Sequence, residues 1–193
     1  MTRVVLSIGS NLDDRLAWLQ SVVEWLGEAV QAVSPVYETV PWGGVEQGPF
    51  LNAVLIAEDA TLDGPGWLRC AQEMEQAADR VRGQRWGPRT LDVDLISCYQ
   101  TSPVGDTPAG DIEVFSRNGR LTLPHPLAHL RAFVMVPWLA VDPGAELTVA
   151  DGKRPVTELL AELDPADRMG VRLTEMVLEP PPKIGESDPA PRT

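Results

Sequence analysis

The sequence predicts an α+β sandwich in which helices cover one antiparallel sheet. Strand-like and helix-like segments follow one another as strand, helix, strand, strand, helix, strand over residues 3–99. The composition, 44% hydrophobic and 23% charged, is that of a chain with one ordinary core. Its 193 residues suit a single domain, and no internal repeat divides them.

The elements can be justified in order. RVVLSI (3–8) is a β-branched strand. After GSN comes DDRLAWLQSVVEWLGEA, where Leu16, Leu19, Val22, Val23 and Leu26 recur at helical spacing. Asn11 is the expected N-cap of that helix and Gly27 its stop. AVQAVSPVYETV (29–40) reads as a strand that Pro35 interrupts, which places it at an edge or a bulge. Residues 41–50 are a Gly- and Pro-rich loop, and FLNAVLIAED (50–59) is the third strand. WLRCAQEMEQAADRV (67–81) is a second amphipathic helix, and LDVDLISCY (91–99) a fourth strand. Residues 100–111 are turn-rich. EVFSRNGRLTL (113–123) carries the alternation and Asn-Gly pair of a hairpin. PLAHLRAFVMVPWLAV (126–141) reads as a helix broken at Pro137, followed by a TELLAEL helix and a closing strand, VRLTEMVL. Residues 1–179 are therefore expected to form one domain, and the Pro-rich 180–193 a disordered tail.

Charge and cysteine content narrow the function classes. A formal net charge of −12 argues against nucleic acid or an anionic lipid surface as partner. No apolar run reaches the roughly 18 residues of a membrane helix. MTRVVLSIGS reads as a strand rather than a leader peptide. Cys70 and Cys98 have no metal-binding spacing and are expected as buried thiols in a cytoplasmic protein, read here as a monomer. Against this acidic background Arg80, Arg82, Arg85 and Arg89 crowd one short stretch. Such a stretch suits a compact polyanion such as a nucleoside triphosphate; a solvated loop is the alternative.

LDVDL follows directly. In a strand Asp92 and Asp94 share one face, about 6–7 Å apart, with Leu91, Val93 and Leu95 on the other. Two carboxylates so placed repel unless a cation joins them, and Mg²⁺ prefers one or two carboxylates plus phosphate oxygens. An edge strand that turns the pair to solvent is the competing reading. Phe50 and Asn52 share a face by the same alternation, an aromatic plane beside an amide that suits a flat heterocycle. SIGSN lacks GxGxxG and is no dinucleotide loop. His125 and His129 have no third ligand for zinc.

Taken in order, SIGSNL, the Y-x-T-x-P…F-L-N-A block, R-V-R…R-W-G-P-R-T-L-D-V-D and L-P-H-P…R-x-F are similar to the 6-hydroxymethyl-7,8-dihydropterin pyrophosphokinase family of the folate pathway. The resemblance spans roughly residues 3–141, and RWGPRTLDVDL is its most specific block. It implies a ferredoxin-like α+β fold and transfer of the β,γ-pyrophosphoryl unit of ATP to the pterin hydroxymethyl group. Two Mg²⁺ ions are implied on Asp92 and Asp94, with Arg80, Arg82 and Arg89 as further catalytic residues. The pterin would meet Thr39, Trp42, Phe50, Asn52, Trp86 and Phe133. ATP would meet Gln72, Glu75, Arg85, Arg120, Thr122, His125 and Arg131. Phe50 stands where the family often has Tyr, which keeps the stacking plane and loses a hydroxyl. Pro126 stands where some members have Tyr, and residues 100–118 form a longer excursion than usual. A DxD nucleotidyltransferase or a catalytically silent pterin- or nucleotide-binding protein are the other readings. The former sets its Gly-Ser turn about a dozen residues from the DxD, against about eighty between Ser10 and Asp92 here.

Overall fold

A computed structural model describes residues 1–41, 47–78, 87–101 and 111–180. β1 (Thr2–Ser10) leads through an open turn to α1 (Arg15–Leu26). The second predicted strand is two short ones, β2 (Val30–Val33) and β3 (Tyr37–Thr39), with Pro35 in the gap. Both pair with β4 (Phe50–Asp59), and Ser34 bridges the gap by donating its N–H to the Val54 carbonyl at 2.9 Å. α2 (Gly64–Ala77) and β5 (Asp92–Gln100) complete the predicted order. The main sheet runs β3–β4–β1–β5 at its centre, with every pairing antiparallel. β1 lies in the middle and β4 and β5 on its flanks, which is the ferredoxin-like arrangement.

Beyond β5 come the short strands β6 (Ile112–Glu113), β7 (Ser116–Arg117) and β8 (Thr122–Leu123). β6 extends the sheet beyond β5, whereas β7 and β8 form the predicted hairpin, shorter than its sequence suggests. The Asn118 side chain closes that turn by accepting the N–H groups of Arg120 and Leu121. α3 (Ala132–Val141), β9 (Glu146–Val149), β10 (Gly152–Pro155), α4 (Val156–Glu162), α5 (Pro165–Met169) and β11 (Val171–Leu173) finish the described chain. β11 returns to pair with β3 at the far sheet edge.

Several expectations need correcting. Asn11 does not cap α1; Asp14 does, accepting the Ala17 N–H at 3.1 Å. α2 starts at Gly64 rather than 67, because Asp63 caps it and proline in the first turn needs no N–H partner there. α3 runs straight through Pro137. The lost backbone bond is outweighed by burial of Val134, Met135 and Trp138 against the sheet. The closing strand stops at Leu173, since Thr174 turns both its N–H and its hydroxyl onto the Val36 carbonyl. The β9–β10 hairpin and α5 have no counterpart in the sequence reading. The tail from 181 onward lies outside the described residues.

The sheet separates two cores. On one face Val4, Leu6, Ile8, Leu51, Ala53, Leu55, Val93 and Leu95 meet the apolar sides of α1 and α2. On the other, Val5, Val54 and Ile96 meet α3, β9 and α4. A β-bulge decides how β5 serves both. Val5 is opposite Ser97 and Leu6 opposite Leu95, so Ile96 is an extra residue. Ahead of the bulge Leu91, Val93 and Leu95 face α1 and α2; beyond it Cys98 does. Ile96 joins the opposite face, behind Asp92 and Asp94.

Both thiols are buried, and burial pushes the Cys98 thiol up to about 11. Native protein is expected to leave Cys98 unmodified by a thiol reagent near pH 8, with full labelling after denaturation. Rapid native labelling would show that the α2–β5 core opens readily.

Candidate active site

The second face of the sheet is covered over only part of its length. α3 roofs Val5, Val54 and Ile96, and past its first turn the same face continues uncovered by any of the described residues. There, strand alternation sets out Ser7 and Gly9 on β1, Phe50 and Asn52 on β4, and Asp92 and Asp94 on β5. Ser7 is opposite Asp94, and Gly9 lies between Asn52 and Asp92. With Thr39, Val40, Arg89, Arg131 and Phe133 these residues line one open cleft.

The acidic end explains how two like charges coexist. Arg89 donates from its guanidinium to Asp92 Oδ2 at 2.9 Å, and Arg131 to Asp94 Oδ2 at 2.9 Å. Arg89 comes from the segment just before β5, and Arg131 from the residue that opens α3. Each carboxylate therefore has its own guanidinium, supplied from a different side of the cleft. Arg131 also lies 5.6 Å from the Phe133 ring centroid, so it orients that ring as well as the carboxylate.

Below β5, the buried Glu75 of α2 accepts the Val93 N–H at 3.0 Å. That amide points away from β1 on a stretch where β5 has no other strand beside it among the described residues. The bond holds the backbone between the two aspartates. His125 is fixed from two sides: its N–H reaches the Ile96 carbonyl at 2.8 Å, and its Nδ1 accepts the Leu127 N–H at 3.2 Å. Nε2 then carries the ring proton, 4.0 Å from Asp94 Oδ2. Burial first, then the Arg131 charge, drives this imidazole down to about 4. It is neutral across the physiological range.

The apolar end is arranged around one amide. Asn52 is 4% exposed and donates to Thr39 Oγ1 at 2.6 Å. Its oxygen sits over Gly9, where an added Cβ would come within 2.7 Å of it. Gly9 is therefore part of the site through the side chain it lacks. Phe50 and Phe133 line the cleft with it.

The cleft thus gathers Thr39, Phe50, Asn52, Arg89, Asp92, Asp94, Arg131 and Phe133 from the sequence-based set, with His125 beside them. Gln72 on α2, and Arg120 and Thr122 on the β7–β8 hairpin, are exposed and stand apart from the lining. Trp42, Arg80, Arg82, Arg85 and Trp86 lie outside the described residues. Ser7, Gly9 and Val40 went unread. The signal for the first two was available, since alternation in SIGS puts them on one face.

The donor set suits a hard divalent cation. Two carboxylates at the open end, with space for phosphate oxygens and water to complete the shell, match Mg²⁺. Among the described residues there is no cluster of three or more His, Cys, Asp or Glu side chains that would make an all-protein metal cage.

Comparison with known proteins agrees with this arrangement. Residues 5–143 match the model of the 7,8-dihydro-6-hydroxymethylpterin-pyrophosphokinase (HPPK) family. A Mycobacterium tuberculosis 2-amino-4-hydroxy-6-hydroxymethyldihydropteridine pyrophosphokinase is 68% identical over 173 residues, covering 90% of each chain. The Mycobacterium leprae protein of the same name is 65% identical over 190 residues, 98% of this chain and 96% of its own. The fold is shared with a solved Plasmodium falciparum HPPK-DHPS at a TM-score of 0.54 and 12% identity. That match covers 83% of this chain and 44% of the longer protein. With its fold, its cleft and its sequence in agreement over the same residues, the chain belongs to the 7,8-dihydro-6-hydroxymethylpterin-pyrophosphokinase family, ATP-dependent diphosphokinases of folate biosynthesis.

Proposed function

We propose that the cleft moves the β,γ-pyrophosphoryl group of ATP onto the hydroxymethyl oxygen of 6-hydroxymethyl-7,8-dihydropterin, through the residues described above. The observation that carries this reading is one sheet face ending in two kinds of chemistry. An aromatic-and-amide end on β4 lies across β1 from a carboxylate-and-guanidinium end on β5. The first suits a flat heterocycle and the second a polyphosphate.

The acceptor ring lies at Phe50 and Phe133, with Asn52, oriented by Thr39, facing its edge. Trp42 and Trp86, outside the described residues, are assigned to the pterin as well. Val40 and the floor at Gly9 limit the ring's depth. The triphosphate lies toward Asp92, Asp94, Arg89 and Arg131, with His125 as a neutral donor from Nε2. Gln72, Glu75, Arg85, Arg120 and Thr122 belong to the nucleotide side, Glu75 by holding β5 in place. Arg80 and Arg82, outside the described residues, are assigned the neutralisation of charge that develops on the phosphates.

Asp92 and Asp94 would hold Mg²⁺, two ions in this reading. Bound there, the cation would lower the pKa of the acceptor hydroxyl and screen the phosphate charge. The acceptor oxygen forms a bond to the β-phosphorus, and the bond from that phosphorus to the α,β-bridging oxygen breaks. The bridging oxygen leaves on AMP, and the hydroxyl proton passes to solvent. Lining residues contribute placement: each end of the cleft fixes one reactant, which turns a bimolecular encounter into an oriented one. Arg89 and Arg131 exchange a carboxylate partner for a phosphate one at little cost, because both are oxygen anions of similar geometry.

In this reading the protein acts as a monomer. Buried free thiols support a reducing cytoplasm. Among the described residues no helix is long and apolar enough to cross a membrane.

Incubation with the pterin, ATP and Mg²⁺ is expected to release AMP and a pterin diphosphate. ADP in its place would refute pyrophosphoryl transfer. Asp94→Ala should lower turnover by at least about a hundredfold and change pterin affinity by less than about threefold. Equal losses in both would remove Asp94 from the transfer step. For His125, the folded-state value lies below the ordinary 6.5, so the unfolded chain takes up the proton first. Its contribution to stability is full above pH 6.5 and is lost as the pH falls toward about 4. Chemical denaturation across that window should show a flatter loss of stability for His125→Gln than for wild type; identical slopes would contradict the assignment.

A further inference from the structure

Asn11 belongs to the SIGSN motif, yet it neither caps α1 nor lines the cleft. It is 8% exposed, at the end of β1, and it bonds in two directions at once. Toward the phosphate side it holds both backbone groups of Arg89. Its own N–H donates to the Arg89 carbonyl at 3.2 Å, and its Oδ1 accepts the Arg89 N–H at 2.8 Å. Toward the acceptor side its Nδ2 donates to Gln47 Oε1 at 2.9 Å and to the Gly48 carbonyl at 3.1 Å. Gly48 is two residues ahead of Phe50, and Arg89 carries the guanidinium that meets Asp92.

We propose that Asn11 is a positioning residue that ties the acceptor loop at 47–48 to the phosphate-side segment at Arg89, and so sets the spacing between the two ends of the cleft. Side-chain chemistry explains why asparagine stands there. One acceptor and one two-proton donor are needed within a single short planar group, and both are engaged. Serine offers one proton, aspartate none. Glutamine would move the group outward by a methylene. Oδ1 and Nδ2 face opposite ends of the cleft, so the two halves of the tie can be cut separately. The inference rests on the pterin and ATP assignments made above.

Asn11→Asp keeps an oxygen for the Arg89 N–H and replaces the donor that faces Gln47 and Gly48. The Gln47 amide can rotate to answer that change; the Gly48 carbonyl cannot. Asn11→Ala cuts both halves. With wild type as reference, Asn11→Asp is expected to raise the pterin KM by at least about tenfold and to leave the ATP KM within about twofold. Asn11→Ala should raise both, and hydrogen exchange at the Arg89 amide should be slow in wild type and Asn11→Asp but fast in Asn11→Ala. Should Asn11→Ala fail to fold, Asn11→Asp decides alone through its KM split. The proposal is overturned if Asn11→Asp shifts both KM values together, if it shifts neither, or if only kcat falls. A wild type that released no AMP would count against the reaction reading instead, and the Arg89 amide would still report on Asn11 without turnover.

Discussion

Two carboxylates held side by side on one strand face are the constraint that the rest of this molecule answers. Asp92 and Asp94 could not share a half-covered sheet surface unless charge of the opposite sign reached each of them. The fold brings Arg89 in along the chain itself, three residues ahead of Asp92, and Arg131 from the opening of α3. Since Arg131 also touches Phe133, the answer to the charge problem places an aromatic at the other end of the cleft. Positive charge and ring orientation thus come from a single turn of chain. The same arrangement leaves the anionic oxygens in reach of a cation and the guanidinium groups in reach of phosphate.

The sheet supports this by dividing one face in two. The stretch at Val5, Val54 and Ile96 is apolar and roofed; the stretch at Ser7, Gly9, Asn52, Asp92 and Asp94 is polar and open. Both halves lie on the same three strands, so the packed half serves as a rigid base for the reactive half. The bulge at Ile96 is what lets β5 do this. It keeps Leu95 and Cys98 in the α1–α2 core while turning Ile96 toward α3, and its carbonyl anchors the His125 backbone. Glu75 meets the outer edge of β5 at Val93, so the strand is fixed on both sides where the aspartates project.

Family membership fits the physical picture at every level tested. Relatives of high identity share nearly the whole chain, and distant solved structures share the fold alone. The cleft residues are those whose chemistry a flat heterocycle and a polyphosphate would select. Neither a silent binding protein nor a nucleotidyltransferase gains support from these findings.

The sequence by itself determined the alternation of strands and helices, the shared face of Asp92 with Asp94 and of Phe50 with Asn52, and the break at Pro35. Each of these follows from a period of two or of 3.6 residues, or from a missing N–H, all properties of a short stretch. Tertiary structure decided the rest, because it depends on residues far apart in the chain. Asn11 looked like a helix cap by its neighbours, and became instead a tie between segments 37 and 78 residues away. Pro137 looked like a break, but packing against Val5, Val54 and Ile96 carries α3 through it. Arg131 reads as one more ATP-side residue; only the fold shows it paired with Asp94, across 37 residues of chain. Alternation could put Gly9 on the face of Ser7, but the meaning of its missing side chain appears only where Asn52 from the neighbouring strand fills the space a Cβ would take.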